Sequence, residues 1–128
     1  MTTFALQQGQ DDGKLAPDQW NSPAPTMAEG TKIEKPIRVD QCCQAVRASK
    51  GGAVRVTEDA ISTATLELAA LGMYTEPTCA QAGAAYHELL AKGAIQPGEV
   101  VVVVLTGTGV KATPKIAELT GVELGNVS

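Results

Sequence analysis

Glu99-Val100-Val101-Val102-Val103-Val104-Leu105-Thr106-Gly107-Thr108-Gly109-Val110-Lys111 is the stretch on which the fold turns. Valine is β-branched and fits a pleated surface, and the Val100–Leu105 run is far too short to cross a membrane, so it reads as a strand. No polar residue alternates within it. Both faces should therefore be covered and both edges paired, as in an interior strand of a parallel sheet. The strand runs straight into a hydroxyl residue and a Gly-x-Gly turn, which brings backbone and a small polar side chain to the rim of a pocket. That is the usual seat of a flat cofactor in an α/β sheet.

Helical patterns lie on the N-terminal side of this stretch. After Pro36, Val39, Cys42, Cys43 and Val46 recur at helical spacing until Lys50-Gly51-Gly52. Ala53–Val56 reads as a short strand. Thr57 is a good N-cap, Glu58 and Asp59 put negative charge into the first turn, and Ile61, Ala64, Leu68 and Leu71 continue an apolar stripe that Gly72 stops. A third helix starts near Pro77 or Thr78 and carries Ala80, Ala84, Ala85 and Leu89 towards Lys92-Gly93, and Pro97-Gly98 is a turn. Beyond the Val strand, Thr113-Pro114 caps a last short helix with Ile116 and Leu119 on one face. Two strands cannot cover both edges of Val100–Leu105. The chain is therefore expected to be a portion of a larger sheet, or to complete one through other subunits.

Residues 1–26 differ from the rest. They are polar, Pro/Gly-punctuated and aperiodic, and read as a flexible arm or linker that Trp20 could pin to a surface, with residues 27–128 forming the α/β portion. The full chain of 128 residues is one domain by length, 44% hydrophobic but only 3% aromatic, so its core rests on Ala, Val, Leu and Ile. A net charge of −4 without a basic run argues against nucleic acid as a partner. With no apolar span and no signal-like start, a cytoplasmic protein without a membrane partner is expected. Three cysteines and one histidine, with no Cys-x-x-Cys spacing, support no metal site. Cys42 and Cys43 read as small buried groups on a helix face.

Gly107-Thr108-Gly109-Val110-Lys111-Ala112 fits the dinucleotide pattern G-x-G-x-x-A formally. The acidic residue that should follow about 20 positions on, at the end of a further strand, would fall beyond Ser128. A tight turn that needs glycine for positive φ is the simpler account.

The order of segments carries more weight. Glu76-Pro77-Thr78-Cys79-Ala80-Gln81-Ala82-Gly83-Ala84, a helix, Pro97-Gly98-Glu99, the Val strand and Leu105-Thr106-Gly107-Thr108-Gly109-Val110-Lys111 resemble the C-terminal region of threonine synthase and its relatives. These are pyridoxal-phosphate enzymes of the tryptophan-synthase-β type, fold type II. Ala28–Ile33, Gly51–Val54 and Thr57–Ile61 fall in the same order, so the resemblance covers about residues 26–120 in several segments.

The resemblance implies an α/β fold: a partial parallel sheet covered by helices, a C-terminal piece of the large cofactor-binding domain. It implies that Thr106 hydrogen-bonds the pyridine nitrogen, with Gly107 beside it and Glu76 lining the ring side of the pocket. It also implies β- or γ-elimination or replacement on amino acids, since a neutral hydroxyl leaves the ring a milder electron sink than a carboxylate would. Three parts of such an enzyme are missing: the Schiff-base lysine in its Lys-Asp-Arg-like context, the substrate loop and the Gly-rich phosphate cradle. None of the seven lysines stands in such a motif. No catalytic residue is assigned here, and activity is expected only with an N-terminal catalytic part or subunit. Lys111, Cys79 and His87 read as solvated or packing residues. A homo-oligomer is expected, and a non-catalytic oligomerisation module inherited from the same fold is the alternative from a different class.

Overall fold

Thr57 starts the helix on which the C-terminal half of the chain is built. Its backbone is extended (φ −89°, ψ 163°) and its Oγ1 accepts from the Ala60 N–H at 3.2 Å, satisfying one of the orphan donors of the first turn. In this computed structural model, which describes residues 25–33, 37–52, 54 and 56–125, the helices are α1 (Val39–Ala48), α2 (Glu58–Ala70), α3 (Pro77–Ala91) and α4 (Thr113–Thr120). Short 3-10 turns occupy Glu29–Thr31 and Gly109–Ala112. The four helices fall where the apolar spacing puts them. The expected arm lies outside the described residues apart from Pro25 and Thr26, and Trp20 lies outside them too.

The described residues fall into two units. One holds residues 25–26 and the described part of 30–54, and with them α1, on which Cys43 is buried and Cys42 half-buried. The left-handed residue that ends α1 is Lys50 (φ 54°), one position before the expected glycines, and the Gly51 N–H closes the turn on the Val46 carbonyl at 2.9 Å.

The other unit holds residues 27–29 and 56–125. Here α2 and α3 pack side by side through alanine: Ala64, Ala80 and Ala84 form the centre, with Val56, Ala60 and Leu68 around it. Small side chains let the two backbones approach closely. Gly83 is one of them, since a methyl there would touch Ala64 and Leu68 at 3.5 Å. Ile61, 2% exposed, is the largest apolar side chain fully buried in this unit. Gly72 ends α2 in the left-handed region (φ 80°), and the Met73 N–H reaches back to the Leu68 carbonyl at 2.9 Å. Ala28 is fully buried, and the neighbouring Met27 N–H donates to the Glu58 carboxylate at 2.9 Å.

The strands are the point of departure. Among the described residues there is no strand, and the one strand-like pairing is an isolated antiparallel bridge, Thr75 with Thr108. Val100–Leu105 has no ladder partner there, and Val100, Val102 and Val104 are largely exposed. Of Ala53–Val56, only Val54 and Val56 are described, and neither is in a strand. The partial parallel sheet is thus not built among these residues. The physical reason is the one the valine run itself supplies: it needs partners on both edges, and no second apolar run accompanies it. Two smaller corrections follow. Thr113 is the first residue of α4 and not its cap, because its hydroxyl donates to the Val110 carbonyl at 2.9 Å. The glycines of the Gly-x-Gly turn do not have positive φ.

Candidate functional site

The turn and the start of α3 meet in a short antiparallel register. The Gly109 N–H donates to the Tyr74 carbonyl at 2.9 Å and the Glu76 N–H to the Gly107 carbonyl at 3.4 Å, on either side of the Thr75–Thr108 bridge. Residues opposite one another in such a register share a face, and neighbours along each chain alternate. Tyr74 therefore lies against Gly109 and Glu76 against Gly107, while Thr75 and Thr108 share the other face.

This register bears on both glycines. A Cβ on Gly107 would collide with the Glu76 Oε1 and lie 2.8 Å from its Cδ; one on Gly109 would sit 2.9 Å from Ile116 Cδ1 and 3.0 Å from the Tyr74 ring. Close approach by the Tyr74 ring argues for glycine at Gly109, whereas at Gly107 the neighbour is the flexible Glu76 side chain. Positive φ is the reason at neither.

The three expected site residues come together here. Thr106 is exposed, and its hydroxyl has no partner among the described residues. Gly107 is half-buried under the Glu76 side chain. Glu76 is the N-cap residue of α3 but makes no side-chain cap bond; its carboxylate is folded over Gly107. On α3 itself, Pro77 holds the first position and Cys79 is buried at 3% exposure, a packing thiol.

Sequence reasoning missed Thr75. It is 8% exposed, and its Oγ1 is the buried side-chain oxygen left without a hydrogen bond among the described residues. A threonine before Glu-Pro gives no pattern to detect. An unmet buried hydroxyl costs about 1–3 kcal/mol, so Thr75→Val, which keeps the shape, is expected to raise the unfolding free energy of the chain by about 1 kcal/mol or more. Urea unfolding followed by helical circular dichroism checks this; a loss of stability would mean that the hydroxyl is bonded in solution.

Other polar groups are accounted for. His87 Nε2 pairs with Glu67 Oε2 at 2.9 Å across α3 and α2, and Lys92 with Glu88 at 2.8 Å. Lys115 lies 2.6 Å from Glu118, and that hydrogen bond and charge raise its pKa above the ordinary lysine value. Lys111 is exposed in the 3-10 turn after Thr108. Among the described residues no group of three or more His, Cys, Asp or Glu could hold a metal, and no helix is long and apolar enough to cross a membrane.

What the site offers is a hydroxyl at the rim of a turn with a carboxylate folded on the adjacent glycine. A family model described as pyridoxal-phosphate dependent enzyme matches residues 5–107. The chain belongs to that family. The match begins within the stretch read as an arm and ends at Gly107, within the turn just described. Nothing among curated proteins or solved structures matches the chain.

The cofactor of the family is pyridoxal phosphate. Thr106, whose hydroxyl has no partner among the described residues, offers both a donor and an acceptor beside Gly107, which is the chemistry a ring nitrogen would need. For the phosphate end, the described residues near the turn offer Lys111 in the 3-10 turn that follows it.

Proposed function

We propose that the chain is the C-terminal portion of a threonine-synthase-like lyase, acting by elimination or replacement at the β- or γ-carbon of an amino acid. It works only together with a polypeptide, or a further part of a longer one, that carries the lysine and the phosphate cradle. The observation that carries this reading is the free hydroxyl of Thr106 immediately before Gly107, at the end of the apolar segment.

Bound pyridoxal phosphate supplies an electron sink for bond breaking at the amino acid. The residues of this chain orient it. Thr106 meets the ring nitrogen with a group that both donates and accepts, so the nitrogen is hydrogen-bonded without being held protonated as a carboxylate would hold it. Glu76, kept over Gly107 by the register, lines the ring side, and the absence of a Cβ at Gly107 keeps that carboxylate close to the backbone. The substrate is an amino acid with a leaving group at the β- or γ-carbon. A second reading, a non-catalytic oligomerisation module derived from the same fold, is favoured by the open Val100–Val104 face alone.

Thr106→Val separates the two. In a complete enzyme carrying this segment, the swap keeps the β-branched shape and leaves a ring nitrogen unpaired, at about 1–3 kcal/mol. Turnover is expected to fall by roughly tenfold or more, with a shift in cofactor absorbance and little change in thermal stability. A variant that melts lower while spectrum and turnover per folded molecule stay unchanged would assign Thr106 to structure and remove it from the site.

A further inference from the structure

Gln96-Pro97-Gly98-Glu99 forms a turn that is closed twice. The Glu99 N–H donates to the Gln96 carbonyl at 3.2 Å, and Glu99 Oε2 accepts from the Gln96 N–H at 2.8 Å. Gly98 holds the left-handed backbone the turn requires (φ 89°), and the Gln96 side-chain amide donates to the Gly93 carbonyl just past the end of α3. The Glu99 carboxylate is thereby held in place by the loop that carries it. No cation pairs with it among the described residues. Lys92, the nearest lysine in sequence, is taken by Glu88 at 2.8 Å, while Glu67 and Glu118 have their own partners in His87 and Lys115.

This carboxylate lines a pocket of about 680 Å³, within the range of about 300–1,000 Å³ common for small-ligand sites. Tyr86 and Leu90 of α3, with Val101 and Val103 of the apolar segment, form its other walls. Tyr86 is half-buried, and its hydroxyl has no hydrogen bond among the described residues. An organic cation suits this set of groups. The carboxylate supplies opposite charge and an acceptor, an aromatic ring attracts an ammonium group, and the apolar walls cover an alkyl chain. An anion would meet like charge, and a neutral apolar molecule would take water from the carboxylate without replacing its hydrogen bonds.

We propose that this pocket binds a small alkylammonium ion, a short-chain primary amine whose ammonium group meets Glu99 and whose chain lies along Leu90, Val101 and Val103. The pocket opens at the start of the apolar segment, whereas Thr106 stands at its end. The proposal therefore goes beyond the reading of the cofactor site and does not depend on it.

Titration of the isotope-labelled full chain with n-hexylammonium near neutral pH, followed by two-dimensional NMR, tests it; an alkylamine is charged there, as lysine is. Saturable shifts clustered at Tyr86, Leu90, Glu99 and Val101 are expected, half-complete at roughly 1 mM. Hexanol, with the same chain and no charge, and hexanoate, with the opposite charge, should each bind about tenfold more weakly or less well still. Glu99→Gln keeps an oxygen for the Gln96 N–H, and so keeps the turn, yet it is expected to weaken the amine about tenfold or more. Glu123→Gln, at an exposed carboxylate that does not line the pocket, should leave the affinity unchanged. Nα-acetyl-lysine amide presents the same ammonium as a polypeptide would, and should bind more weakly than the free amine. Hexanol or hexanoate binding as tightly as the amine overturns the proposal, as does an affinity that Glu99→Gln leaves intact. Tighter binding of the lysine amide would assign the pocket to a protein side chain and overturn it too, and so would the absence of saturable shifts up to about 50 mM amine, where a 1 mM site is nearly full.

Discussion

Ile61→Ala should cost the chain about 2–5 kcal/mol of unfolding free energy, the range for emptying a buried isoleucine site. Ile61 is 2% exposed, and the cluster between α2 and α3 is built on Ala64, Ala80 and Ala84, each of which buries little area. A domain has only about 5–15 kcal/mol to lose, so this one side chain carries a large fraction of the total. Urea titration followed at 222 nm should show a lower midpoint, or a helix signal already reduced in buffer. A change below about 1 kcal/mol would mean that Ile61 is not buried in solution as it is here.

Gly109→Ala should be nearly as damaging, at about 1–3 kcal/mol, for the opposite reason: overfilling. The added methyl would lie 2.9 Å from Ile116 Cδ1 and 3.0 Å from two atoms of the Tyr74 ring. Ile116 can rotate. The ring cannot easily withdraw, because the Tyr74 hydroxyl donates to Thr113 Oγ1 at 2.8 Å. Relief would therefore pull on the start of α4 and on the register that sets Glu76 against Gly107. Gly52→Ala, where a methyl meets nothing within 4 Å, is the control expected to change little. Equal thermal shifts for the two variants would show that the close approach at Gly109 does not exist in solution.

The legible parts of the fold were those written locally. The Thr57 cap, Pro77 at a helix start and Gly72 beyond a helix end each act within one turn, so α2 and α3 could be placed from residue order. Val100–Leu105 was legible as a segment that needs partners, but not as to who supplies them, because pairing is a long-range property and the described residues hold no second apolar strand. Gly107 and Gly109 were singled out for the wrong cause. Turn chemistry suggested left-handed backbone, whereas a cross-strand approach by Tyr74, more than 30 residues earlier in the chain, is what argues against a side chain at Gly109.

The candidate site was legible through resemblance more than through physics. Thr106, Glu76 and Gly107 were named from the order of motifs, and the bridge between Thr75 and Thr108 brings them within one turn of backbone. Thr75 escaped notice because an isolated threonine carries no periodic signal, and it pairs with a residue more than 30 positions away.

Reduction with borohydride in the presence of pyridoxal phosphate tests the central claim most directly, that this family member holds the ring end of a cofactor site and not its lysine. Peptide mapping after reduction is expected to show no lysine labelled stoichiometrically. A parallel titration should show weak, reversible binding that Thr106→Val diminishes. No elimination activity on amino acids should accompany it. Stoichiometric labelling of one specific lysine together with turnover would contradict the account, since it would place a complete site within these 128 residues.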